Sequence, residues 1–102
     1  MKALAEMAGT FAMIFVGGSS ILLSERYPQI FPSFGIALTF GTVIALLILA
    51  AGNLSGAHFN PAVTLAFAAA KRFPVSHIGA YWLSQCAGGL GAAGLLILMR
   101  KP

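Results

Sequence analysis

Residues 27–70 run for 44 positions without one Lys, Arg, Asp or Glu. A membrane-crossing helix takes about 20 residues. The stretch is therefore too long for one span and too short for two full spans with a turn between them. Residues 33–51 make one span. Residues 52–59 do not continue it comfortably, because they hold two Gly, an Asn, a Ser and a His. A helix restarts at Asn60-Pro61. Asn can accept a bond from a free backbone N–H at the cap position, and Pro, which has no N–H, suits the first helical position. The restarted helix, residues 60–70, covers only about 16 Å at 1.5 Å per residue, roughly half the hydrocarbon core.

This half-helix ends at Lys71-Arg72, a pair that belongs at a water interface. Its start then falls near the bilayer midplane. The eight residues of the interruption can extend about 26 Å, enough to bring the chain back from the surface to mid-depth. The spacing thus predicts a re-entrant segment: a loop over 52–59 and a half-helix over 60–70. A helix lying flat on the membrane would need a polar face, and residues 62–70 offer almost none.

The rest of the chain supplies two more spans. Residues 7–24 are free of charge between Glu6 and Glu25, which places a first span at about 3–24. Residues 25–32 hold two Pro and two charges and read as a surface connector, with Tyr27 an interfacial aromatic. A third span covers about 74–99, with Pro74 at its start. Ala80, Ser84, Gly88 and Ala92 recur at every fourth position along it, a strip that permits close helix contact in lipid, and Gly89, Gly91 and Gly94 add to this. The expected fold is an all-α membrane protein in one domain, 1–102, with three transmembrane helices and one re-entrant half-helix.

Composition excludes the alternatives. Charged residues make up 8% of the chain and apolar ones 59%, where a soluble domain has about a quarter charged. The net charge of +4 is scattered too thinly for a nucleic-acid face. Glu6 inside the first apolar block argues against a cleaved signal peptide. Cys86, the single cysteine, sits in an apolar run and reads as a small buried core residue. His58 and His77 have no partner spacing for a metal. No nucleophile–base pattern occurs, so neither an enzyme nor a cofactor is expected.

Loop backbone at membrane depth is tolerated only where protein covers it or where it lines a water-filled cavity. The carbonyls of Gly56, Ala57, His58 and Phe59 offer a ladder of acceptors. The half-helix N-terminus carries partial positive charge. If the side-chain oxygen of Asn60 caps the helix, its NH2 group is left to donate to a solute. Such a site favours neutral hydrogen-bonding molecules and disfavours cations, protons included.

The stretch Ser55-Gly56-Ala57-His58-Phe59-Asn60-Pro61-Ala62-Val63-Thr64-Leu65-Ala66 resembles the first Asn-Pro-Ala loop of the aquaporin and glycerol-facilitator family. Glu6 with Gly9-Thr10 is similar to that family's first helix, and Gln85-Cys86 to its third. The resemblance implies a passive channel for water or small neutral solutes, in a multi-pass protein of the cell membrane. It makes Asn60, with Pro61 and Ala62, the central solute contact and residues 56–59 the carbonyl wall. Phe40, twenty positions before Asn60, falls where the family places the second-helix member of its aromatic/arginine filter. Glu6 becomes a buried carboxylate that holds the loop, with His58 involved and Gln85 in support.

No second Asn-Pro-Ala motif occurs in the chain, so the resemblance covers the family's N-terminal half. The other half of the pore is expected from a longer chain, from a separate chain or from an inverted copy. The complete family assembly is a homotetramer. With the N-terminus inside, Lys2, Lys71 and Arg72 face Arg26, Arg100 and Lys101 across the membrane, so the positive-inside rule chooses no orientation. Two other readings compete with the channel: a small proton-coupled exporter working through Glu6, and a non-functional truncated remnant.

Overall fold

The structure, a computed structural model, describes residues 1–100; Lys101 of the charge comparison lies outside the described residues. Four helices follow one another: α1 (Lys2–Arg26), α2 (Ser33–Ser55), α3 (Pro61–Ala69) and α4 (Ile78–Arg100), with a 3-10 turn at Val75–His77 leading into α4. α1 stops where Pro28 follows Tyr27, since a proline disfavours helical backbone at the residue before it. The Tyr27 N–H still closes onto the Leu23 carbonyl, and the Ile30 and Phe31 N–H groups turn back onto Tyr27 O.

Three segments are long and apolar enough to cross a membrane: α1, α2 and Val75–Arg100, whose most apolar 18-residue stretches have mean hydropathies of 1.6, 2.4 and 1.5. α3, with nine residues, is not. The chain is an integral, multi-pass membrane protein with three spans and a half-helix. Among the described residues three long helices stand against the four full spans that the exporter reading requires.

The interruption differs from the expectation. α2 continues through Gly52, Asn53 and Leu54 to Ser55, so the loop spans 56–60 and not 52–59. Gly52 and Asn53 are weak helix formers, but nothing bars them from a final turn. What stops the helix is Gly56, which adopts φ +89 and returns its N–H to the Gly52 carbonyl. That left-handed position is one a glycine takes without steric cost. The half-helix boundaries hold to within a residue, because Asn60 and Ala70 are the caps of α3.

α1 is the axis of the bundle. It packs against both α2 and α4, while α3 packs against α4. Lys2 and His77 share a concavity at one end, and Arg26 and Arg100 share one at the other. α1 and α4 therefore run parallel. Their backbones touch at Gly88, where an added Cβ would lie 2.2 Å from the Met7 carbonyl oxygen. Glycines on α1 take rings in the same way: a Cβ on Gly9 would meet Phe59 at 2.1 Å, and one on Gly17 would meet Phe40 at 2.3 Å.

The small strip on α4 is offset from the expectation. Gly88 and Ala92 are buried as expected, but towards the start of the helix the buried positions are Tyr81 and Gln85, not Ala80 and Ser84. Hydrogen bonding, not small size, determines that end of the seam. A Cβ built on Gly94 would meet no other part of the bundle within 4 Å. Cys86 corrects the sequence reading, for it is exposed. It lies one position past buried Gln85, and that rotates it off the seam.

The interior is polar where a soluble domain's would be oily. Its largest fully buried side chains are Gln85, Glu6 and Thr64. Apolar side chains such as Leu38, Leu49, Leu83, Leu90 and Ile97 point outward, where lipid solvates them as well as protein would.

Candidate functional site

Glu6 is the hub around which the loop is folded. Its side chain is 0% exposed, and four donors converge on it. Oε2 accepts from the Ser55 hydroxyl at 2.7 Å and the His58 backbone N–H at 3.1 Å. Oε1 accepts from the Phe59 backbone N–H at 2.8 Å and from Gln85 Nε2 at 2.8 Å. A carboxylate is an acceptor with about four lone-pair sites, and here all four are met. Three separate elements (α1, α4 and the end of α2 with its loop) are tied through one side chain.

The loop backbone is bent to meet this carboxylate. Ala57 and Phe59 both adopt φ +55, flanking His58. Left-handed backbone is strained for residues with a Cβ and persists only where the surroundings impose it. Glu6 supplies the imposition by drawing the N–H groups of residues 58 and 59 to one point. The described peptide bonds include no cis form, and in a trans peptide N–H and C=O point opposite ways. With the His58 and Phe59 N–H groups on Glu6, the carbonyls of Ala57 and His58 point away from it. Among the described residues, no donor reaches the carbonyls of Gly56, Ala57, His58 or Phe59.

A second layer holds the side chains. Gln85 spends its other Nε2 hydrogen on Thr64 Oγ1 at 2.9 Å. His58 Nδ1 lies 2.9 Å from the same hydroxyl. The Thr64 oxygen accepts from Gln85 and still has one hydrogen and one lone pair, so it can serve His58 Nδ1 in either tautomer of the imidazole. The His58 ring is walled in by Phe67, stacked at 4.7 Å, and by Phe73 and Tyr81 at 4.9 and 5.2 Å. The sequence reading joined His58 to Glu6. The structure makes that link through the His58 backbone, while the ring answers to Thr64.

Asn60 is placed differently from its neighbours. Its Oδ1 accepts the Ala62 N–H at 2.8 Å, the cap that the sequence predicts. No acceptor among the described residues takes its Nδ2, and the side chain is exposed. A groove of about 400 Å³ runs past it, lined on one side by Ala57, Phe59 and Val63 and on the other by Met13, Ile44 and Ile48. Met13 and Ile44 stand near the midpoints of α1 and α2, so the N-terminus of α3 sits at mid-depth of the bundle. Pro61 and Ala62 are exposed at the start of α3. Phe40 is not brought to Asn60. It sits one turn beyond Ile44 on α2, with its ring against Gly17.

Three contributors were not singled out in the sequence. Thr64 is one polar residue on an otherwise apolar half-helix, and that solitude was the available signal. Tyr81 donates its hydroxyl to the Ser55 carbonyl at 2.6 Å, satisfying an end of α2 that has no further turn to bond. Trp82 Nε1 donates to the Pro61 carbonyl at 3.1 Å and pins α3 to α4. Tyr81→Phe removes one neutral donor from a buried carbonyl, a loss of about 1 kcal/mol. The expected result is a small fall in thermal midpoint in detergent with the fold retained.

The comparisons with known proteins agree with one another. The family model for the major intrinsic proteins matches residues 1–102. The chain is 42% identical over 98 residues to Nodulin-26 of Glycine max, covering 96% of this chain and 36% of that protein. It is 44% identical over 98 residues to Aquaporin NIP3-1 of Arabidopsis thaliana, covering 96% of this chain and 30% of that one. It is 43% identical over 99 residues to Aquaporin Z of Rhodopseudomonas palustris, with 96% and 41% covered. The chain thus spans between 30% and 41% of the length of these relatives.

Proposed function

The chain belongs to the major intrinsic protein family, and on that premise we propose that it forms one half of the wall of a passive channel for water or small neutral solutes, and is not an enzyme. The observation that carries this reading is the pairing at the loop. Carbonyls with no donor among the described residues stand beside an Asn60 amide with no acceptor, at the level of Met13 and Ile44 in the middle of the bundle. Backbone acceptors left bare at membrane depth cost free energy, and a file of water or hydroxyl-bearing solute would satisfy them. The groove that holds them is the proposed half-pore. Gly56, Ala57, His58 and Phe59 are its acceptors, and Asn60, with Pro61 and Ala62, is its donor end.

Glu6 is assigned to the scaffold, with Gln85. A carboxylate with four donors and no exposed surface has no route to water for proton exchange, so nothing favours the exporter reading. Phe40 is assigned to a constriction one turn beyond the groove. The partner proposed for the open side is the second half of the channel, from the same longer chain, a separate chain or an inverted copy. The complete assembly is a homotetramer in the cell membrane.

Osmotic swelling of vesicles tests the reading. Co-reconstituted with a second-half chain carrying its own Asn-Pro-Ala loop, the protein is expected to give water flux with a low activation energy and no proton leak. Asn60→Ala removes the donor and the cap together and is expected to cut that flux severalfold. Permeability no higher than bare lipid, alone and with the partner, would establish the non-functional reading instead.

A further inference from the structure

The two ends of the bundle differ in a way that counting cations misses. At one end Lys2 of α1, Arg72 beyond α3 and His77 before α4 line a single concavity of about 500 Å³, and no carboxylate lines it. At the other end Arg26 and Arg100 share a concavity of about 410 Å³ with Glu25. The chain has only two acidic residues. Glu6 is spent on Ser55, His58, Phe59 and Gln85, and Glu25 stands at the far end. Lys2 and Arg72 therefore have no carboxylate partner among the described residues.

The wall behind these cations is fixed. Phe73 packs edge-on against Tyr81 at 4.6 Å and against His77 at 6.0 Å. The turn that delivers Arg72 is held by its own N–H on the Phe67 carbonyl and by the Lys71 N–H on Ala68 O, with Lys71 at φ +61. A second concavity of about 330 Å³ adjoins the first. It shares Lys2, His77 and Tyr81 with it and is otherwise lined by Met1, Ala3 and Ala80, between the starts of α1 and α4. A cationic cup thus opens directly onto an apolar cleft at the ends of membrane helices.

We propose that this pair of concavities binds one anionic phospholipid, its phosphate held by Arg72, Lys2 and His77 and its chain entering the cleft between α1 and α4. The guanidinium fork matches phosphate geometry, and the ammonium adds a point charge. The shared chemistry is a phosphate group. The apolar cleft beside the cup selects the lipid over a soluble phosphate, which has no chain to place there. Each basic residue at an anionic membrane surface adds about fivefold in affinity. The cup shares Gly56, His58 and Phe67 with the half-pore groove and so stands at its mouth. The proposal does not rest on the channel reading, because the three residues that hold the phosphate, Lys2, Arg72 and His77, do not line the groove.

The test uses the full chain in phosphatidylcholine bilayers carrying trace spin-labelled phosphatidylglycerol or, in parallel, spin-labelled phosphatidylcholine. The wild type is expected to retain the anionic lipid at least fivefold over the neutral one. The Lys2→Gln/Arg72→Gln pair is expected to bring that ratio close to one, while Arg26→Gln/Arg100→Gln leaves it largely unchanged. Arg72→Glu alone, at an exposed position with no buried partner to lose, is expected to push the ratio below that of the Gln pair. No wild-type preference, or equal losses from the two Gln pairs, would overturn the proposal. Displacement of the lipid by millimolar inorganic phosphate would do so too, by assigning the cup to a soluble anion.

Discussion

Replacing Glu6 with Ala is expected to release the loop altogether. The substitution strands four donors at once: the Ser55 hydroxyl, the backbone N–H groups of His58 and Phe59, and one hydrogen of Gln85. Hydrogen bonds to a charged group contribute about 1.5–3 kcal/mol each. They are not additive here, because the donors share one acceptor and the loop can relax, but a loss on the order of 5 kcal/mol is expected. That is comparable to the whole stability of a small domain. The left-handed backbone at Ala57 and Phe59 then has nothing to hold it. Hydrogen exchange reads the outcome residue by residue: the His58 and Phe59 amides, protected in the wild type, should exchange at rates near those of exposed backbone. The single tryptophan gives a second readout. Trp82 bonds the Pro61 carbonyl, so its emission should shift as α3 leaves α4. Glu6→Gln is the finer instrument. It keeps the volume but turns one acceptor oxygen into a donor facing donors, and should cost about half as much. Continued protection of both loop amides in Glu6→Ala would sink the claim that this carboxylate holds the loop.

That hub explains which parts of the molecule were legible in the sequence. The cap at Asn60 and the restart at Pro61 follow from chemistry local to two residues, and they appear where expected. The three spans follow from counting uncharged positions against the thickness of a bilayer. Glu6 is an expensive residue to place among apolar ones, and its cost marked it for a purpose; the family resemblance named that purpose. The end of α2 was less legible. Gly52 and Asn53 carry weak local preferences that a helix already in progress overrides, and the decisive residue is Gly56, through a backbone angle. Cys86 was misread because burial in a membrane chain does not follow hydrophobicity. Lipid accepts apolar side chains as readily as the core does, so an apolar neighbourhood says nothing about which way a residue points. Tyr81 and Trp82 act through partners 26 and 21 positions away, and Thr64 joins Gln85, 21 positions on, to His58 in the loop, pairings on which no periodicity reports.

Gly88→Val is expected to separate α1 from α4, and the reason is that its neighbour cannot step aside. At Gly9 and Gly17 the atom in the way of a Cβ belongs to an aromatic ring, which can rotate or tilt at some cost. At Gly88 it is the Met7 carbonyl oxygen, at 2.2 Å, with the Phe11 nitrogen at 3.1 Å. Both are backbone atoms of a helix whose ladder fixes them. A carbon–oxygen contact needs more than a further ångström, so the helices must move apart along their closest line. Overpacking typically costs about 1–3 kcal/mol, occasionally more, and a backbone obstacle places Gly88→Val at or above the upper end. The damage should also travel. Gln85 stands one turn before Gly88 on α4, and Glu6 one residue before Met7 on α1, so widening the seam draws Gln85 Nε2 away from Glu6, while Thr64 moves with α4 because α3 packs on that helix. Loss of protection at the His58 and Phe59 amides is therefore expected in Gly88→Val, though neither residue touches the new side chain. Gly94→Val on the same helix is the control, since no atom lies within 4 Å of a Cβ built there; it should leave the seam and the loop amides as they are. If Gly88→Val retains the wild-type thermal midpoint and loop protection, α1 and α4 are not held at backbone contact, and the carboxylate hub does not depend on the seam beneath it.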